Sequence, residues 1–261
     1  MSTPARTSTS TPTDNSLWIR RFQPRPDAGV RLVCLPHAGG SASFYLPLAR
    51  NMPDFADVLC VQYPGRQDRR AEPLIDNVPE LADRVFTALL PWADRPLAFF
   101  GHSMGASVAY EVASRFEREK GVVAAALFAS GRRAPSALRH ETVHLLDDRG
   151  LIDEVKILSG TDTQLLGDEE VLRMILPAIR ADYRAAETYA PAPGEPLNCP
   201  LVAMIGSEDP KVTPAEAAAW AAHTEGPFTL RVFSRGHFYL VRDQAEVVRT
   251  MADHLRTSVT P

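Results

Sequence analysis

Apolar residues recur along the chain in seven short runs, most of them almost continuously apolar. Short runs of this kind are typical of strands that are covered on both faces of a sheet. The pattern predicts strands at Leu17–Phe22, Arg31–Leu35, Val58–Gln62, Leu97–Phe100, Ala124–Ala129, Leu201–Ile205 and Thr229–Phe233.

Between these runs the apolar residues recur with the 3.6-residue period of a helix. Thr213 before Pro214 is typical of a helix N-terminus. The predicted helices are Val78–Leu90, Met104–Glu119, Pro214–His223 and Asp243–Leu255. Alternating strands and helices indicate an α/β fold with a mostly parallel sheet covered on both faces.

Residues 132–198 interrupt this alternation, because they contain helical patterns and no convincing strand. The helices are predicted at Leu138–Leu146, Leu151–Leu158 and Glu169–Tyr189. An all-helical insertion between two strands favours a lid over an active site at the carboxyl ends of the strands. The alternative is a set of ordinary packing helices. We expect one domain over residues 17–261, after a disordered tail, rich in Ser, Thr and Pro, at residues 1–16.

Hydrophobic residues make up 45% of the 261 residues, enough for a sizeable core, and the formal net charge is −4. An acidic balance argues against a nucleic-acid partner. No apolar run is long enough to span a bilayer, and no signal segment is evident. Cys34, Cys60 and Cys199 lie in or beside apolar runs, without metal-ligand spacing. We expect a cytoplasmic monomer with reduced thiols, no membrane association, and neither metal nor cofactor.

The chemistry centres on Gly101–Gly105, a Gly-x-Ser-x-Gly segment that follows one predicted strand and precedes a helix. This is the pattern of the nucleophile elbow in α/β-hydrolases, where a strained turn lifts the serine hydroxyl above the sheet. The alternative is a glycine-rich turn with an incidental serine. The pattern predicts Ser103 as the nucleophile.

A serine nucleophile needs a histidine base and an acid that orients the histidine. Among the histidines that follow Ser103, His237 lies on a loop just past the last predicted strand. Asp209 follows the preceding strand, and we favour it over Glu208 and over Asp182, which lies on a predicted helix of the insertion.

The oxyanion hole of such an enzyme needs two backbone N–H donors. One is expected from Met104, which follows the nucleophile. The other is expected from Ala38 in the loop His37–Gly40, which follows an early strand. His37 and His102 are interpreted as hydrogen-bonded residues that shape the site.

In its motifs the chain resembles the type II thioesterases, discrete editing enzymes that accompany polyketide synthases and nonribosomal peptide synthetases. The segments that carry the resemblance are Leu35–Ala42, Tyr63–Arg69, Phe100–Ala106, Ser130–Pro135, Leu176–Tyr183, Gly206–Asp209 and Gly236–Phe238. One departure is Arg235, where the family pattern has a small residue.

The resemblance implies hydrolysis of acyl thioesters from the phosphopantetheine arm of acyl carrier or peptidyl carrier domains. The partner protein then carries the phosphopantetheine, and the enzyme needs no cofactor of its own. A general carboxylesterase, an acyltransferase and a carrier-binding scaffold without catalysis remain as alternatives. Loop arginines could dock an acidic carrier domain, although the favoured interpretation is a solvated surface; they are Arg66, Arg69, Arg70, Arg132 and Arg133.

Overall fold

A computed structural model of the protein describes residues 17–159, 169–192 and 194–259. The disordered tail predicted for residues 1–16 lies outside this range. Within it, none of the helices combines the length and the apolar content that crossing a bilayer requires.

A seven-stranded sheet forms the centre of the described molecule, in the order β1-β3-β2-β4-β5-β6-β7. β1 runs antiparallel to β3, and all other neighbours are parallel. The strands are β1 Ile19–Arg20, β2 Val30–Leu35, β3 Ala56–Val61, β4 Leu97–His102, β5 Ala126–Ser130, β6 Leu201–Gly206 and β7 Phe228–Phe233. The predicted α/β architecture is confirmed, and the first strand is shorter than predicted, with two paired residues.

Helices cover both faces of the sheet, because successive residues of each buried strand point to opposite sides. Phe99 thus joins the apolar core under α2 and α3, while Phe100 joins the core under α1 and α8. The α-helices are α1 Leu46–Asn51, α2 Val78–Leu89, α3 Met104–Arg115, α4 Asp148–Ser159, α5 Glu169–Thr188, α6 Pro214–Ala218, α7 Tyr239–Arg242 and α8 Gln244–Val259.

Local sequence explains where several helices begin. At α6 the Thr213 side chain accepts from the amide of Glu216, and the Glu216 side chain accepts from the Thr213 amide, which confirms the predicted cap. At α2 the side chain of Asn77 accepts from the amide of Glu80. Past α3 the helix continues as one π-helical turn and ends at Gly121, which has a φ of 64°.

The helical insertion, residues 132–198, leaves the sheet after β5 and returns at β6. α4 and α5 are close to their predicted bounds, and α5 continues through Pro177. The helix predicted at Leu138–Leu146 is wrong, because only a 3-10 turn forms at Val143–Leu145. Leu138 and Leu145 are 74% and 71% exposed, so their helical spacing reflects no buried face.

Candidate active site

The turn between β4 and α3 holds Ser103 in a backbone conformation that L-residues rarely adopt. Ser103 has a φ of 54° and a ψ of −121°. A positive φ costs a residue with a Cβ about 1–2 kcal/mol. The Ser103 amide donates a 2.8 Å hydrogen bond to the carbonyl of Ser130 at the end of β5, which holds the turn in place. The segment is therefore a strained strand-to-helix elbow, as the glycine spacing predicts.

Two glycines permit the close approach on which this elbow depends. A Cβ on Gly101 would lie 2.1 Å from the carbonyl oxygen of Gly105. A Cβ on Gly105 would lie 2.1 Å from the carbonyl oxygen of Leu35. The start of α3 is therefore pressed against the end of β2, and the amide of Met104 is brought towards the loop that follows β2.

His237 and Asp209 lie on the loops after β7 and β6 and are bonded to each other. Nδ1 of His237 lies 2.8 Å and 3.0 Å from the two carboxylate oxygens of Asp209. Their side chains are almost fully buried, with 1% and 0% exposed. The amide of Lys211 donates to Asp209 Oδ1 at 2.8 Å and helps to fix the carboxylate. With Nδ1 donating to the carboxylate, Nε2 of His237 is the ring nitrogen that can accept a proton.

The two loops that carry this pair touch through their backbones. A Cβ on Gly206 would lie 2.3 Å from the carbonyl oxygen of Gly236. Arg235, the departure from the family pattern, has a φ of 96°, which explains why a small residue is expected there. Its side chain is 57% exposed and pairs with Asp243.

The loop after β2 carries an amide, that of Ala38, which has no acceptor among the described residues. The amide of Gly39 donates to Asp182 Oδ2 at 2.7 Å, and the amide of Gly40 donates to the carbonyl of His37 at 2.9 Å. The amide of Met104 is the first of α3, and such amides have no acceptor within their own helix. Ala38 and Met104 thus offer two N–H donors.

His37 and His102 surround His237 and remain neutral at physiological pH. Burial, with the charges of His237 and Arg66 nearby, lowers the pKa of His37 to about 3. Burial also lowers the pKa of His102 well below its ordinary value, and Nδ1 of His102 is bonded to Ser130 Oγ at 2.9 Å. His37 and His102 therefore do not compete with His237 for a proton.

A cavity of about 110 Å³ joins these groups under the helical insertion. Ser103, His237 and Ala38 line one side of it. The opposite walls come from the insertion and are largely apolar near α4 and α5, with charged side chains further along; they include Val155, Leu158, Ile175, Ile179, Arg132, Glu141 and Glu187. An acyl chain attached to Ser103 would therefore contact the insertion.

The structure places the competing acids away from His237. The side chain of Glu208 is exposed, and its amide donates to the carbonyl of Arg235. Asp182 is completely buried but bonds to Arg66 and to Gly39. Sequence reasoning weighed Asp182 only as a possible acid and did not foresee this bridge.

Three of the five loop arginines considered for docking are buried with partners inside the chain. Arg66 pairs with Asp182, Arg69 with Glu72, and Arg133 with Glu141. Their side chains are 4–6% exposed, so neither a solvated surface nor a docking role describes them. Arg132 is half-buried, donates to the carbonyl of Ala186 and lines the cavity, whereas Arg70 is exposed.

Comparison with known proteins assigns the chain to a family. The thioesterase-domain family matches residues 30–255. The chain is 52% identical over 243 residues to the thioesterase PikA5 of Streptomyces venezuelae, which covers 93% of this chain and 86% of that protein. The chain therefore belongs to the thioesterase family and is a thioester hydrolase.

Solved structures support the same assignment and the α/β-hydrolase fold. The structure of the type II thioesterase BorB, from the borrelidin biosynthetic cluster, matches with a TM-score of 0.88 at 51% identity, covering 94% of this chain and 100% of that one. The RedJ thioesterase from the prodiginine biosynthetic pathway of Streptomyces coelicolor matches with a TM-score of 0.82 at 33% identity, covering 96% and 91%. ClbQ, from the colibactin nonribosomal peptide and polyketide pathway, matches with a TM-score of 0.83 at 27% identity, covering 88% and 98%.

Proposed function

We propose that this thioesterase hydrolyses acyl thioesters from the phosphopantetheine arm of acyl carrier or peptidyl carrier domains, in polyketide or nonribosomal peptide biosynthesis. The observation that carries the proposal is the buried His237–Asp209 pair, whose histidine lines the same cavity as the strained Ser103. The biosynthetic relatives supply the substrate class.

In the first half-reaction Ser103 Oγ attacks the thioester carbonyl while Nε2 of His237 takes the hydroxyl proton. Asp209 holds the ring in the required tautomer and stabilises the imidazolium. The amides of Ala38 and Met104 donate to the oxyanion. The C–S bond then breaks, and the sulfur leaves with little acid assistance because the pKa of a thiol is about 8.5. The released thiolate takes the proton from the imidazolium, which returns His237 to its neutral form for the second half-reaction.

In the second half-reaction a water molecule gives its proton to His237 and attacks the acyl-Ser103 ester. The acid product leaves, and Ser103 recovers its proton from the imidazolium. His37 and His102 do not compete for these protons, because the pKa of each is lowered by burial.

The acyl group occupies the cavity under the helical insertion, which acts as a lid. Val155 and Leu158 on α4 and Ile179 on α5 supply its apolar walls. An apolar lining fits the alkyl chain of an acyl group.

The decisive experiment measures hydrolysis of a carrier protein loaded with acetyl, propionyl, malonyl and longer acyl groups. We expect turnover for wild type and a loss of about 10⁴–10⁶-fold for Ser103→Ala. Near-wild-type turnover by Ser103→Ala would refute the proposed mechanism. Faster cleavage of simple oxygen esters than of any carrier-bound thioester would favour a carboxylesterase, and acyl transfer to an added alcohol or amine would favour an acyltransferase.

A further inference from the structure

A single carboxylate oxygen connects the helical insertion to two loops of the sheet. Oδ2 of Asp182, on α5, accepts a 2.7 Å hydrogen bond from the amide of Gly39 in the loop after β2. The same oxygen accepts from Nη2 of Arg66 in the loop after β3. The side chains of Asp182 and Arg66 are 0% and 5% exposed, so water competes little for these bonds.

Packing reinforces this connection. A Cβ on Gly39, where φ is 74°, would lie 2.8 Å from Cγ1 of Ile179, one helical turn before Asp182. Ala38 itself packs against the apolar cluster of the insertion, which contains Leu151, Ile179 and other residues of α4 and α5. The loop with the candidate oxyanion donor therefore rests on α5 as much as on the sheet.

We propose that Asp182 is a positioning residue that sets the oxyanion hole through the amide of Gly39. The proposal rests on the proposed role of Ala38 as an oxyanion donor. Because Asp182 fixes the peptide plane between Ala38 and Gly39, it restricts the backbone angles of Ala38 and holds the preceding amide in one direction. It also keeps the amide of Gly39 out of the hole.

Arg66 has a complementary part in this arrangement. A bare carboxylate bonded one peptide away from a developing oxyanion would oppose its negative charge in a site of low dielectric. The guanidinium of Arg66, bonded to the same oxygen, cancels that charge. Arg66 also donates to the carbonyl of Pro64 at 2.6 Å, which anchors it to its own loop.

Two double variants separate the hydrogen bond to Gly39 from the ion pair. Asp182→Asn with Arg66→Gln removes both charges but keeps an oxygen that can accept from Gly39. Asp182→Leu with Arg66→Met removes both charges and the acceptor, and such apolar replacements of buried ion pairs are generally tolerated by the fold. Both are assayed on a short acyl-N-acetylcysteamine thioester, alongside thermal unfolding.

We expect the Asn/Gln variant to keep kcat within about threefold of wild type. The Leu/Met variant should lose about 10- to 100-fold in kcat, less than the 10²–10³-fold of an absent oxyanion donor, with KM changed less than about threefold. Binding of a trifluoromethyl ketone analogue of the tetrahedral state should weaken in parallel with kcat/KM. Binding of a thioether analogue of the substrate, which the enzyme cannot cleave, should not change. A merely structural defect would weaken the binding of both analogues.

Equal kcat values for the two variants, or a loss confined to KM, would overturn the proposal. If the Leu/Met variant does not fold, Asp182→Ala with Arg66→Gln serves instead, and wild-type kcat there would overturn it equally. The small thioester needs no carrier protein. Cleavage of this substrate that depends on Ser103, without cleavage of any carrier-bound one, would refute the proposed function while leaving this test intact.

Discussion

The contact between Gly105 and the end of β2 makes Gly105→Ala the sharpest test of how the site is assembled. The added Cβ would lie 2.1 Å from the carbonyl oxygen of Leu35 and 2.7 Å from that of Pro36. A carbon–oxygen contact requires about 3.3 Å, so α3 and the loop after β2 must separate by about 1 Å. Both carbonyl oxygens belong to the backbone and cannot rotate away as a side chain would. We therefore expect Gly105→Ala to lower the free energy of unfolding by at least about 3 kcal/mol, the upper part of the range for overpacking.

The same displacement should impair catalysis, because it moves the amide of Met104 away from that of Ala38. A misplacement of about 1 Å at a reacting centre costs about 100-fold, and we expect that loss in kcat for Gly105→Ala. Urea denaturation and steady-state hydrolysis of an acyl thioester measure the two effects.

The matched control is Gly121→Ala, at the far end of the helical segment that begins with α3. Gly121, unlike Gly105, has a positive φ, 64°, and a Cβ added there would meet no atom of the described residues within 4 Å. We expect a cost of about 1–2 kcal/mol from backbone strain and an unchanged kcat. Wild-type stability together with wild-type kcat in Gly105→Ala would refute the close-packing argument.

Three further predictions follow from single side chains. Asp209→Asn should lower kcat by about 10⁴-fold and Glu208→Gln by less than twofold in steady-state assays, and the reverse order would move the acid to Glu208. His102 is buried and neutral in the folded state, so only the unfolded state binds a proton there as pH falls below about 6.5. In urea titrations between pH 7.5 and 5, the free energy of unfolding of wild type should fall by up to about 2 kcal/mol more than that of His102→Asn. An equal fall in the two proteins would contradict this. Arg133→Glu should cost at least about 3 kcal/mol because it breaks a buried pair, whereas exposed Arg70→Glu should stay within about 0.5 kcal/mol in the same assay.

The buried strands could be predicted because nothing local competes with their pattern. β2 to β6 are largely apolar and buried at every residue, so composition alone indicates where they lie. The segment Leu138–Leu146 has the apolar spacing of a helix, but its leucines face solvent. Spacing alone does not distinguish an apolar stripe that will be buried from one that will be exposed. Tertiary contacts such as the ion pair between Arg139 and Glu216 hold this segment instead.

Some parts of the candidate site could likewise be predicted from the sequence, and others could not. Ser103 lies within a local motif, and His237 and Asp209 each follow a strand, so position along the chain indicates all three. The contacts of Asp182 have no such signature, because Gly39 and Arg66 are 143 and 116 residues away in the sequence. Only the folded chain shows that a residue weighed as an acid bonds to the loop after β2.

The insertion contacts both halves of the candidate machinery, and this has a consequence for acyl selectivity. Lys211, whose amide bonds to Asp209, pairs through its side chain with Glu154 on α4 at 2.5 Å. Ile179 on α5 lines the cavity and is also the side chain nearest to Gly39. A change of volume at Ile179 is therefore expected to disturb the loop after β2 together with the cavity. Leu158 lines the same cavity from α4. A substitution at Leu158 should therefore change acyl selectivity with less effect on turnover than a substitution at Ile179.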